Sequence, residues 1–123
     1  MGHRPPSVEE WLADAKAEAD AAGVGMYLVH NGVVRGSSRS GEAVSGMTLS
    51  VDRDRLDTVL EQIREREGIA VVRAWINEGE LRVGDDIMYV LVGGDIREHV
   101  FDALMDGVRA IKTGVVTEVE YRP

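Results

Sequence analysis

The strongest constraint on the fold is a change of apolar period at Gly114. Before that glycine, Phe101, Leu104, Val108 and Ile111 recur at intervals of three and four, the spacing of one helix face. Beyond it, Val115, Thr117, Val119 and Tyr121 alternate with Val116, Glu118 and Glu120, the period of a strand. A helix that passes into a strand with one glycine between them confines the chain to folds in which helices pack on sheet.

The same grammar recurs upstream. "SVEEWLADAKAEADAAG" opens with Ser7 and Glu10 at capping-box spacing and predicts a first helix running to Gly23. A first strand is expected from Val24 to about Asn31 and Gly32, and a second in "VSGMTLSV", Val44 to Val51. Between them "RGSSRSGEA", Arg35 to Ala43, is small, polar or charged and reads as a mobile loop. Asp52 precedes a second helix in which Leu56, Val59, Leu60 and Ile63 share a face, closed by Gly68. "IAVVRAWI" and "IMYVLVGG" read as strands joined through turns in "NEGE" and "LRVGDD", and Asp95 is the expected N-cap of a third helix that ends at Lys112. Hairpin-joined strands with helices on one face give an α+β sandwich of one domain, residues 1–123.

Composition then excludes functions. The net charge of −8, from 22 acidic and 14 basic residues, argues against nucleic acid or an anionic membrane as a general partner, so any anion site must be local. With no cysteine there is no disulfide, thiolate nucleophile or sulfur ligand, and a reducing cytoplasm is the expected compartment. No apolar run reaches the roughly 20 residues of a membrane span, and "MGHRPPSVEEW" has no apolar signal core. His3, His30 and His99 show no metal-ligand spacing, so neither a metal nor a cofactor is expected. Phosphate-binding glycine loops and serine nucleophile elbows are absent, and the carboxylates read as solvated helix faces.

What remains is a set of cations. Arg35 and Arg39 bracket the polar loop, where guanidinium groups suit bidentate capture of phosphate or carboxylate; as two solvated loop arginines they need no function. Arg97 stands in the first turn of the third helix, where the dipole disfavours a cation but an anion is welcome. Lys112, in the last turn, is explained by the dipole alone or by chemistry, and spacing does not choose between them.

In order and spacing these elements resemble the large, catalytic subunit of molybdopterin synthase, from about residue 7 to 121. The likeness is carried by "NGVVRG", by "GMTLSVDRDRLDTVLEQIRE", and above all by Gly79, Leu81, Gly84 and Asp85 of a glycine turn, then Arg97, Phe101 and Lys112. The resemblance implies an α/β-hammerhead-like two-layer sandwich of mixed or antiparallel strands with three main helices, forming a homodimer. It implies a small ubiquitin-like sulfur-carrier partner whose C-terminal Gly-Gly thiocarboxylate enters a pocket of this subunit. Sulfur would pass from it to cyclic pyranopterin monophosphate to form the dithiolene of molybdopterin. Lys112 would be the catalytic lysine, and Arg35, Arg97 and Arg39 would bind substrate, with Arg35, Arg97 and Lys112 converging in one pocket. The chain departs from the family at Ile96 in place of a histidine, at Ile76 and Asn77 in place of a His-Arg pair, and at Val119 in place of a second lysine. The alternative is a non-catalytic homologue that binds a pterin, a phosphate ligand or a carrier tail in a regulatory or scaffolding role.

Overall fold

A computed structural model of the chain describes residues 5–123; His3 and the rest of "MGHR" lie outside the described residues. Nine main elements follow one another: α1 (Val8–Glu18), β1 (Met26–Val33), β2 (Gly46–Val51), α2 (Arg53–Arg64), β3 (Ile69–Ile76), β4 (Gly79–Arg82), β5 (Asp86–Gly94), α3 (Arg97–Gly114) and β6 (Val116–Tyr121). They build two three-stranded antiparallel sheets, ordered β1-β5-β3 and β4-β2-β6, the α+β arrangement that the alternation implied.

The central strand β5 is apolar throughout because both of its faces are covered. Met88, Val90 and Val92 join Ile63 of α2 and Val100, Ala103 and Ile111 of α3 in the main core. Leu91 faces the other way, toward Ala15, Trp11 and Leu12 of α1. The expectation of helices on one face therefore holds for α2 and α3 and not for α1. An edge-on contact of Trp11 with Tyr89, at 6.2 Å between ring centroids, and an ion pair of Arg73 with Glu18 at 2.8 Å fasten α1 to that outer face.

Consecutive strands do not all pair. β1 and β2 belong to different sheets, and β4 was hidden within "NEGELRVGDD" because four residues between two glycines look like turn chemistry. Gly79 and Gly84 do carry positive φ, but between them Leu81 is 3% exposed and Met47 of β2 pairs with it. The second sheet thus enters the main core through Met47, Leu49, Leu81 and Val116.

The caps correct several boundaries. Ser7 Oγ accepts from the Glu10 amide as expected, yet α1 stops at Glu18, because Asp20 caps a separate 3₁₀ turn, Ala21–Gly23. Asp52 caps α2 through the Arg55 amide, 3.1 Å away. At α3 the N-cap is Ile96, without a side-chain cap bond, in place of the expected Asp95. The Asp95 carboxylate accepts from the Ile96 amide and from His99 Nδ1, at 2.6 and 2.7 Å, so it braces the first turn from one residue upstream. The helix continues to Gly114, one half-turn past Lys112.

Glycines meet where β1 and β3 begin and β5 ends. Gly94 accepts from the Gly25 amide through its carbonyl, and the Asp95 amide donates to Gly68 O, at 2.8 and 2.9 Å. A Cβ on Gly94 would lie 2.5 Å from the Gly68 carbonyl oxygen, which is backbone and cannot swing aside. Gly94→Ala is expected to lower stability by about 1–3 kcal/mol, read as a lower urea midpoint at unchanged m-value.

Candidate functional site

β1 ends against the start of β5: the Val34 amide donates to Asp85 O at 2.9 Å, and Val34 is buried at 2% exposure. This anchors Arg35 as the first residue of the polar loop. The loop is held by its own bonds, from Ser38 N to Glu42 O at 2.8 Å and from Val44 N to Gly36 O at 3.0 Å, with Gly41 at positive φ. Its hydroxyls link in a chain from Ser38 to Ser40 to Glu42. Arg35 Nε donates to Ser37 O at 3.0 Å, and the outer guanidinium nitrogens have no hydrogen-bond partner among the described residues.

The loop forms one wall of a cleft of about 1080 Å³, and the α3–β6 junction forms another. Arg35, Arg39, Lys112 and Arg122 line it together with Glu118 and Glu120, over an apolar floor that includes Met47 and Ile87. Four cations thus gather in a chain of net charge −8. Arg97 is not among them. It begins α3 whereas Lys112 lies fifteen residues on, so about 22 Å of helix separates the two, and the expected convergence of all three is corrected for Arg97.

Lys112 does not serve as a side-chain cap. Its Nζ donates to Glu118 Oε2 at 2.7 Å, and the terminal carbonyl of Gly114 is served instead by Arg55 Nη1 at 3.2 Å. Arg122 approaches Glu120 at 3.7 Å and Glu42 at 3.8 Å. Among the described residues neither Arg35 nor Arg39 has a carboxylate within ion-pair distance, and the Arg35 guanidinium is held only by its bond to Ser37 O. Val119 is 55% exposed at the cleft wall, which puts it and its neighbours Thr117 and Tyr121 outside the core; the buried face of β6 begins at Val116.

The sequence pointed to neither Arg122 nor Glu118 in the cleft, and gave no role to His30 nearby. Glu118 is only one member of an alternating run in the sequence, but strand alternation from buried Val116 turns it inward, toward Lys112. His30 lies on β1 with its Nε2 buried and without a partner among the described residues. Burial first, and then the Lys112 charge, hold its pKa below the usual 6.5. At the far end of α3 the opposite holds, since the hydrogen bond to Asp95 raises the His99 pKa and that to His99 lowers the Asp95 pKa. Among the described residues, no group of three or more His, Asp or Glu could hold a metal, and no helix is long and apolar enough to cross a membrane.

The MoaE protein family matches residues 2–114. The chain belongs to that family. Solved structures similar to it include molybdopterin synthase from Staphylococcus aureus, at 17% identity and a TM-score of 0.77, covering 98% of this chain and 88% of that one. A second is the complex of subunits 1 and 2 of molybdopterin-converting factor from Helicobacter pylori 26695, at 18% identity and 0.70, covering 94% and 78%. A third is molybdopterin cofactor biosynthesis protein E from Burkholderia multivorans ATCC 17616, at 21% and 0.73, covering 98% and 84%. At these identities the likeness establishes the fold. No curated protein matches the chain.

The two histidines should titrate apart by NMR, His30 with a midpoint below 6.5 and His99 above it. A raised His99 pKa gives stability that is full below 6.5 and lost as pH rises through the folded value. The lowered Asp95 pKa gives stability present above 3.8 and lost as pH falls, while the lowered pKa of half-buried His30 withdraws stability as pH falls through 6.5. His99→Gln should therefore abolish the alkaline decline in urea midpoint and leave the decline below pH 6.5 in place.

Proposed function

We propose that this MoaE-family chain acts in molybdenum cofactor biosynthesis as the large subunit of molybdopterin synthase, transferring sulfur from a thiocarboxylated carrier to cyclic pyranopterin monophosphate. The observation that carries the reading, beside family membership, is the gathering of Arg35, Arg39 and Lys112 in one cleft of a strongly acidic chain. Of these, Arg35 and Arg39 have no carboxylate partner among the described residues, which suits them to receive an anion. Their guanidinium groups suit a phosphate monoester, by charge-assisted and bidentate bonds. Lys112, at the inner wall, offsets negative charge that develops as the carrier's carbon–sulfur bond breaks. A cleft of this volume can hold a pterin together with an extended Gly-Gly tail. The fold likeness to the complex of the two Helicobacter pylori subunits supports a small-subunit partner.

A homodimer belongs to this reading. The strand β6 is an exposed sheet edge, and Arg97, out of reach of its own chain's cleft, is free to serve that of a second copy. Sedimentation should give a dimer at micromolar concentration, and monomer alone would count against it. A cytoplasmic location is proposed on the lack of cysteine.

The direct test is incubation with thiocarboxylated carrier and cyclic pyranopterin monophosphate, followed by detection of dithiolene product. Lys112→Ala should lower the rate by about 10²–10³-fold, the effect of removing one preorganised charge-stabilising donor. Its stability should change by less than about 1 kcal/mol, since the pair with Glu118 is half-exposed. Because Val119 is exposed at the cleft, Val119→Lys should fold and raise activity. A normal rate in Lys112→Ala would end the catalytic reading of that lysine.

A further inference from the structure

We propose that Glu118 is the resting occupant of the anion position at Lys112, an internal carboxylate that an incoming anion has to displace. The inference deepens the reading of the cleft as an anion site and rests on it. Glu118 reaches Lys112 from β6, six residues along the chain, and its Oε2 lies 2.7 Å from the lysine Nζ. Backbone on both sides is fixed. The Val115 amide donates to Ile111 O at 3.1 Å, and Glu118 stands opposite Leu49 in the antiparallel ladder with β2. The glutamate side chain is 25% exposed, so the neighbouring wall confines it to the cleft.

A carboxylate tethered at hydrogen-bond distance competes with a dissolved anion at an effective concentration far above that of the ligand. Lys112 therefore has a carboxylate partner while the cleft is empty, whereas Arg35 and Arg39 have none among the described residues. An anion first meets the two guanidinium groups and gains the ammonium only as Glu118 swings away. The displaced carboxylate then stands unpaired beside the ligand and returns to Lys112 as the ligand leaves, which favours release. Glu120 makes the informative contrast: it lines the same cleft, but its partner is Arg122, at the looser distance of 3.7 Å.

The test uses sulfate as probe, titrated into isotope-labelled full chain at pH 7.5 and followed by NMR. In the wild type, the Glu118 side-chain carboxyl resonance should move in step with the Lys112 amide, because its partner is being taken. Glu118→Gln should bind sulfate about three- to fivefold more tightly, the release of one half-exposed ion pair. Glu120→Gln, with the same change of charge, should change affinity by less than about twofold. Glu118→Asp, shorter by one methylene, should lie between wild type and Glu118→Gln and gives the same reading if the glutamine variant fails to fold. An unmoved Glu118 resonance while sulfate binds, an equal gain in Glu120→Gln, or weaker binding in Glu118→Gln would each overturn the proposal. Sulfate binding in the wild type tells the two readings apart, since its absence removes the anion site itself and the displacement with it.

Discussion

Covering β5 on both faces is the constraint from which the rest of the architecture follows. Its residues from Met88 to Val92 are at most 9% exposed, so the strand demands a helix layer on each side. α1 supplies one layer and α2 with α3 the other. Once α3 is laid across the inner face, its C-terminal turn is delivered to the second sheet, where Val51 pairs with Val116 and the Asp52 amide donates to Val115 O at 2.8 Å. Ile111, fully buried, fixes the rotation of the last turn, and Lys112 follows it outward to the cleft. The position of that lysine is thus a consequence of core packing on the preceding residue.

The electrostatics of the cleft are short-ranged by necessity. A chain of net charge −8 repels anions at long distance, though over a Debye length of roughly 8 Å in physiological salt that repulsion fades. Inside the cleft, direct hydrogen bonds take over, and preorganisation matters more than charge count. The loop from Ser37 to Ala43 is closed by backbone bonds and by its own serine hydroxyls, so Arg35 and Arg39 are presented from a built surface. Two of the four cations are already partly neutralised by Glu118, Glu120 and Glu42, which limits attraction of stray anions by an otherwise naked positive pocket.

Regular local patterns were legible in the sequence, and whatever depended on a distant partner was not. The cap of α2 at Asp52, the limits of β3 and, to within two residues, the end of α3 are written in caps, apolar runs and glycine. β4 escaped because its four residues become a strand only through pairing with β2, and Leu81 gives no period by itself. Asp95 looked like a cap because it precedes the helix; one residue of offset, set by its bonds to Ile96 and His99, separates the expectation from the structure. Of the cations, Arg35, Arg39 and Lys112 share a cleft, while Arg97 does not, and helix rise alone could have warned of that. Glu118 required knowing that Val116 faces the core, a fact of burial that the alternating run leaves ambiguous by one register step.

Of the three departures from the family pattern, Ile76 and Asn77 are buried at the end of β3, while the other two differ in physical meaning. Ile96 stands at the N-terminus of α3, beside the Asp95–His99 pair and a full helix length from Lys112. A side chain lost there leaves the chain's own cleft untouched and bears only on whatever surface the N-terminal end of α3 meets. Val119 is different, for it lies in the wall of the cleft, exposed, with room for a longer side chain. With valine there, Lys112 is the one ammonium in the lining, already engaged by Glu118. On the displacement proposed for Glu118, the chemistry of this cleft turns on how readily a single carboxylate lets go of a single lysine.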